Sequence, residues 1–463
     1  MEMQSAWEDP FAAYVGHFHP LMGDQRTRRT FAAILRGIIA GGSLVCQKIA
    51  AASPVLAAVE NGAQRVIRLV KGQSTDRSTL SVGQLTERLR ERGVAQLREA
   101  DTDDLWLILD LSELRKPQAQ EMPALMEVRD LHGKLVPGYR TLEVLGVTPK
   151  RRGILYQRVF SSHEAGFESE PLEVQAALQT VSEALAPLKA TKTVTWIMDS
   201  GLDDVAVWRT IWEQHEHLVC RVCHTDRLVE YLDRHGEWQA GDIAQAQQDL
   251  RLLATAQTHM KVCAGRQKLP KMQPVQVELR AGPLRLTYET NVRRKGAGKT
   301  VQQKLWLVEV RLPETRMEPW LLVTDWPVED DPAVLRIFRM YRQRWAVEDA
   351  FRFTKECLGW EEVRLLDLEG IRTLVAMAWI AAGFLYELGV TLEWPEVRLL
   401  ARMGGWVPHK NRPPGKIVIT RGLSRLIEWM TTEAFLNQYI AEHGGLPPRI
   451  AAFIGRKTSG ERL

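Results

Sequence analysis

Two short runs, the continuously apolar Leu105–Leu109 (LWLIL) and the β-branched and apolar Val194–Met198 (VTWIM), each lead straight into an aspartate, Asp110 and Asp199. Neither run has the polar alternation of a strand with one wet face. Each is also short for a helix, so both read as strands buried on both faces. Such strands belong to α/β architectures, in which helices cover the sheet. Asp110 is expected to end its strand. After Asp199, Gly201 permits a tight turn and Asp203 can cap the helix that follows. A single aspartate in this position ordinarily serves only the turn. Two of them, at two central strands, point to a shared cluster.

A third carboxylate lies much later, in YRQRWAVEDAFRFTK (Tyr341 to Lys355). At 100° per residue, Tyr341, Arg344, Glu348 and Lys355 fall within an arc of about 60° on one helix. Mixed charge on a helix usually marks a solvated face. Here Trp345, Val347, Phe351 and Phe353 flank the stripe with apolar groups, which turns the polar face toward a cleft.

The spacing resembles the Y-x2-R-x3-E-x6-K signature of the insertion-sequence-four family of bacterial DDE transposases, and the resemblance extends over about Asp101 to Val390. It implies a retroviral-integrase-like (RNase H-like) α/β core interrupted by a β-rich insertion, with helical N- and C-terminal regions. Asp110, Asp199 and Glu348 match the catalytic, metal-holding carboxylates; Asp101, Asp103 and Asp104 are the neighbours that compete with Asp110 for the first place. The resemblance further implies DNA contacts by Tyr341, Arg344 and Lys355, a basic contact by Arg221, and a base-stacking role for Trp320. Otherwise Trp320, one of fifteen tryptophans, would be assigned to the core.

Three carboxylates suit phosphodiester chemistry because charge develops on both the attacking and the leaving oxygen. Two Mg2+ ions about 3.5–4 Å apart stabilise both, and hard oxygen ligands hold them, with Mn2+ able to substitute. The expected activity is binding of the element's terminal repeats, cleavage by hydrolysis and transesterification through a hairpin, and insertion into target DNA. A nuclease of the same fold without strand transfer, and a domesticated, non-catalytic DNA-binding protein, are the alternatives. The partners are double-stranded DNA, as transposon ends and as target, and a second copy in a homodimer on paired ends.

In chain order, residues 1–75 read as helical, with basic groups (Arg26, Arg28, Arg29, Arg65, Arg68, Lys71) at the edges of apolar helices, and form a DNA-end-binding region. Residues 76–225 hold the first part of the core after a linker helix near Val82 to Glu99. In them GYRTLEVLGV and RRGILYQRVFSS read as antiparallel partners, and a helix is expected from about Pro171 to Leu188. Residues 226–319 are the β-rich insertion. It begins with a polar helix, IAQAQQDLRLLATAQTH, followed by the strands VQVELR, LRLTYETNV and KLWLVEVRL, the last two joined by the basic turn RRKGAGKT. Residues 320–390 complete the core. Residues 391–463 form a helical C-terminal region suited to dimerisation, broken by the loop VPHKNRPPGK.

Two motifs mislead. Cys220-Arg-Val-Cys223-His224 fits C-x-x-C-H, the haem-attachment pattern. Covalent haem attachment goes with export, and the acidic start MEMQSAWEDP is no export signal. A zinc site from the same residues lacks a partner pair, since Cys263 is solitary. Gly296-Ala-Gly-Lys-Thr300 imitates the tail of a P-loop but has Arg293 where the first glycine belongs, and a strand follows it.

The chain of 463 residues, 45% hydrophobic and 25% charged, carries a net charge of only +4 and five cysteines. That composition describes a globular protein of several domains with a mild basic bias and no disulfide framework, expected in the bacterial cytoplasm with the nucleoid. No membrane association is expected: the run Leu374 to Tyr386 is short of the about 20 residues that span a bilayer and reads as a buried helix.

Overall fold

The structure is a computed structural model, describing residues 2–53, 59–71, 80–262, 271–290, 299–315, 317–408 and 413–458. It is mixed α/β and divides into two units, one of residues 1–89, 115–125 and 351–463, the other of residues 90–114 and 126–350.

The second unit is built on one mixed sheet. Its strands are β1 (Asp104–Arg115), β2 (Met126–Arg129), β3 (Leu135–Val147), β4 (Arg152–Phe160), β5 (Thr193–Met198), β6 (His217–Arg221), β7 (Leu228–Leu232), β8 (Trp238–Asp242), β9 (Arg251–Val262), β10 (Lys271–Thr290), β11 (Lys299–Arg311) and β12 (Trp320–Thr324). Among the described residues the order is β2-β3-β1-β5-β6-β12-β11-β10-β7-β8, with β4 on β3 and β9 on β10. β1 runs parallel to β5, and β5 parallel to β6, while β3 and β4 form the expected antiparallel pair.

Leu105, Leu107 and Leu109 join Trp196 and Met198 in a core capped by the helices Val82–Arg98, Glu170–Leu185 and Val205–Glu213. Ile108 and Ile197, also fully buried, lie outside that cluster, as alternation along a strand requires. The helix Asp331–Arg342 packs against β5 and β6. Its Arg336 donates to Asp104 at 2.8 Å, and Trp326 just before it donates to Thr195 at 3.1 Å. Those partners share the even-numbered face of β1 and the odd-numbered face of β5, so this helix covers the side of Ile108 and Ile197. The sheet is therefore sandwiched, as its apolar runs demand.

The strands between β6 and β12 extend the same sheet, because β12 pairs with β6 on one side and β11 on the other. Two expectations change here. The polar helix stops at Gln248, and RLLATAQTHMKV is β9, paired along β10. Ala254, Thr258 and Met260 are buried at strand spacing, so tertiary pairing overrides the helix propensity of Leu, Ala and Gln. VQVELR and LRLTYETNV form a single strand through Gly282-Pro283. Pro283 falls where the neighbour of β10 changes from β9, ending at Ala281, to β7, beginning at Leu284, and a missing N–H there interrupts neither ladder. The basic turn 291–298 and Cys263 lie outside the described residues.

The first unit is helical: Glu2–Gly16, Gln25–Gly41, Cys46–Ala51, Val59–Lys71, Leu368–Thr391, Trp394–Met403, Lys416–His443 and Pro448–Thr458. By length and composition Leu368–Thr391 could cross a membrane, longer than the sequence suggests, yet Leu374 to Ala382 are buried within the unit. Tyr14 donates to the Ile380 carbonyl at 2.9 Å, and Phe11 meets Phe384 edge-on, so the N-terminal helix holds this central one. Lys71 pairs with Asp367, while Arg26, Arg29, Arg65 and Arg68 are exposed.

The helix Val82–Arg98 lies backbone to backbone on β4. A Cβ on Gly153 would sit 2.6 Å from the Gly93 carbonyl oxygen, and one on Gly93 would strike the Ile154 carbonyl. Gly93→Ala is expected to lift the helix and destabilise the protein by about 1–3 kcal/mol, measured by chemical denaturation.

Candidate active site

The parallel register of β1 and β5 ends at Leu109 opposite Met198. One step further places Asp110 beside Asp199, on the face of Ile108 and Ile197 that the helix Asp331–Arg342 covers. Asp110 does not end its strand: β1 continues to Arg115, and it is β5 that stops. The end of β5 leaves the Asp110 carboxylate at a gap in the sheet, where it accepts from the Leu111 N–H at 2.9 Å. Asp199 caps a short 3-10 turn, Ser200–Leu202, and accepts from the Ser200 N–H at 2.8 Å. The next helix is capped by Asp204, not by Asp203, which faces the loop after β6 instead.

The stretch from Tyr341 to Lys355 is not one helix. One helix ends at Arg342, Gln343 and Arg344 form a turn, and a second helix runs from Trp345 to Leu358. Through the break the bonds span three residues: Arg344 N–H to the Tyr341 carbonyl at 3.0 Å and Val347 N–H to the Arg344 carbonyl at 3.1 Å. A three-residue repeat aligns side chains at i and i+3, so Tyr341 and Arg344 still point to one place. The Tyr341 hydroxyl donates to Asp199 at 3.2 Å. Arg344 lies 2.5 Å from Glu348, 3.4 Å from Asp199 and 3.6 Å from Asp110. One guanidinium thus gathers the three carboxylates. Asp104 is engaged by Arg336, so among the neighbouring aspartates it is Asp110 that joins the cluster.

Burial pushes the Asp110 carboxyl up to about 7, against the pull of Arg344 and the Leu111 N–H, with Asp199 and Glu348 adding to the rise. Burial also opposes the charge on Arg344, but Asp199, Glu348, Tyr341 and Asp110 outweigh it and raise its pKa. Tyr341 is raised by burial first and by Asp199 second, so its hydroxyl stays protonated as a donor.

The other expected residues are placed differently. Arg221 ends β6 opposite Leu322, near enough to Tyr341 to bear on its titration, and its guanidinium makes no ion pair with a described residue. Trp320 begins β12 and is only 4% exposed, its ring packed on Tyr341 and Trp345. In this arrangement it offers no face to a base and forms the wall behind Tyr341. Lys355 belongs to the other unit, 3.1 Å from Glu361 and over the Trp360 ring. The sequence reading missed Arg152 on β4, which pairs with Asp349 at 3.1 Å and fixes the start of the Glu348 helix. No local motif marks that pairing.

The donor set suits a hard divalent ion. Asp110, Asp199 and Glu348 bring only carboxylate oxygens, and a positive group, the Arg344 guanidinium, already sits among them. Asp110, Asp199 and Glu348 reach that guanidinium from a strand, a strand end and a helix, so the carboxylates come from separate elements.

No family model and no curated protein matches the chain. Among solved structures, a cryo-EM structure of a piggyBac transposase synaptic complex with hairpin DNA resembles it at a TM-score of 0.38 with 10% identity, over 94% of this chain and 79% of that one.

Asp110 has a consequence for stability without divalent metal. Its pKa rises from about 3.9 unfolded to about 7 folded. Between those values the folded state keeps a proton the unfolded state has lost, so stability falls as pH rises from about 4 to about 7 and stays at the lower level above it. Asp110→Asn cannot ionise and is expected to be more stable than the unaltered protein by on the order of 1–3 kcal/mol above neutrality. Melting temperatures in chelator at acid and alkaline pH should show the advantage only at the alkaline end.

Proposed function

We propose that this chain is a metal-dependent DNA transposase that cuts the ends of its own element and joins them to target DNA. The observation that carries the reading is the convergence of Asp110, Asp199 and Glu348, from a strand, a strand end and a helix, on Arg344. An RNase H-like core is supported by the sheet order, with β1 central, the β3–β4 pair on one side and the parallel strands β5 and β6 on the other. The strands β7 to β11, inserted between β6 and β12, take the place of the β-rich insertion.

In this reading Asp110, Asp199 and Glu348 would hold two Mg2+ ions, or Mn2+ in their place. Such ions, when bound, would supply stabilisation of charge on the attacking and departing oxygens. Tyr341 fixes one Asp199 oxygen and so the direction its other oxygen faces. Arg344 holds the carboxylates together against their mutual repulsion, and a phosphate entering the cluster meets the same guanidinium. Arg221, at the edge of the site and without a carboxylate partner among the described residues, is suited to grip the DNA backbone. The exposed arginines of the N-terminal helices supply further phosphate contacts. The protein acts as a homodimer on two paired ends in the bacterial cytoplasm, with a hairpin between the first cut and release.

Asp199→Asn and Glu348→Gln are each expected to abolish Mg2+-dependent cleavage of DNA flanking the gene, by at least about 1000-fold, while gel-shift affinity in the absence of metal stays within a few-fold. Joined products in the same assay separate a transposase from a nuclease of the same fold; cleavage by either variant at the unaltered rate would remove the carboxylate site.

Arg221→Ala is expected to reduce the slope of log affinity against log salt by about one unit, as the loss of one phosphate contact requires. Arg344, held by three carboxylates, should alter that slope less and cleavage more. Binding titrations over a range of salt compare the two, and an unchanged slope for Arg221→Ala would return it to ordinary surface.

A further inference from the structure

The loop after β6 holds the one motif that the catalytic reading leaves unused, Cys220-Arg-Val-Cys223-His224. Its two cysteines are not equivalent. Cys220 is fully buried in the core of the sheet, with its thiol directed at the Asp199 and Leu202 carbonyls. Cys223 and His224 are exposed. Opposite them, from the turn after β5, comes Asp203, and one ligand atom from each of Asp203, Cys223 and His224 lies within 4.8 Å of the others. The sequence offered no second cysteine pair for these residues; the third donor is a carboxylate twenty residues earlier.

Asp203 is prepared for the role by its own partners. It accepts from the Cys223 N–H at 2.7 Å, the His224 N–H at 2.8 Å and Arg227 at 2.5 Å, the first two on one oxygen and the third on the other. The Cys223 thiol also hydrogen-bonds Asp203, so an ion bound here would take the place of the thiol proton. Carboxylates that bind metals are commonly held by hydrogen bonds of this kind. Backbone amides that bond Asp203 also fix the spacing of the thiol and imidazole, because they belong to the same two residues. Arg227 works against a cation. It pairs with one Asp203 oxygen and also donates to the Asp203 carbonyl at 3.0 Å, its guanidinium lying over the Trp208 ring 4.5 Å from the centroid.

We propose that Asp203, Cys223 and His224 form a second metal site, distinct from the carboxylate cluster, that takes one zinc-class ion with a water in the fourth position. A thiolate and an imidazole select a borderline-soft ion over Mg2+. The ion ties the turn after β5 to the loop after β6. Because Arg227 already draws on Asp203, the thiolate and imidazole supply most of the affinity.

The test is a Co2+ titration of the full chain after chelator treatment, followed by displacement with Zn2+. The expected result is a near-ultraviolet thiolate-to-cobalt band with tetrahedral visible bands at one equivalent, which all-carboxylate ligation cannot produce. Cys223→Ser should abolish the band, and His224→Ala, at an exposed position, should weaken binding by at least about 10-fold, the least that losing even an outer-shell partner costs. Cys263→Ser should leave both unchanged. No thiolate band, a band that survives Cys223→Ser, or one indifferent to His224→Ala would each overturn the site. Mg2+-dependent DNA cleavage is a separate readout, so a failure here does not touch the transposase reading, nor the reverse.

Discussion

The Arg344 guanidinium is the contact on which the candidate site depends. Asp110 is largely buried and loses hydration, and Asp199 and Glu348 beside the same guanidinium add like charge to it. The fold meets this in two ways: Asp110 keeps its proton to about neutrality, and Arg344 supplies positive charge to all three. Neither removes the strain. Sites that assemble like charges are ordinarily among the least stable parts of a protein, and the cost is carried by the surrounding sheet and helices.

That support is visible around the cluster. Trp196 of β5 donates to the buried Glu216 at 2.6 Å, and Ser182 and Lys189 close on the same carboxylate. β5 is thereby tied to the helix below it just before it delivers Asp199. Asp325, after β12, accepts from the Leu218 N–H and from His217, which pins the start of β6. Arg152 fixes the helix of Glu348 by its neighbour Asp349. Two of the elements that bring carboxylates together, β5 and the helix of Glu348, are thus each held by a polar contact of their own.

How much of this was legible in the sequence follows from the range over which each signal acts. The apolar runs announced buried strands because their pattern is local, and an aspartate immediately after a buried run has few places to go. The spacing of Tyr341, Arg344 and Glu348 carried over even though the helix breaks, because three-residue bonds preserve the alignment. The break itself was hidden: QRW contains neither glycine nor proline. Lys355 shares the helical stripe in sequence, but its helix passes into the other unit, where Glu361 claims the charge. β9 was misread because its alternation is carried by Ala254, Thr258 and Met260, residues whose size gives little hydrophobic contrast. Asp203 was taken for a helix cap because the partners that claim it, Cys223, His224 and Arg227, lie at the far end of another strand.

Trp320 shows how a resemblance and a structure constrain each other. Its ring fills the space between Tyr341 and Trp345, and Tyr341 in turn holds Asp199. For a base to stack there, the indole must first leave that packing, exposing apolar surface worth about 25 cal/mol per Å2. Stacking on one base returns only about 1–3 kcal/mol. Movement of the ring would therefore have to be driven by DNA contacts elsewhere, and it would release Tyr341 from its support at the same time. A tryptophan that stacks on a distorted end and a tryptophan that sets the Asp199 carboxylate are thus alternatives in time. The structure shows the second; under the proposed function, the first would be open only to a state in which the wall of the site has been rebuilt.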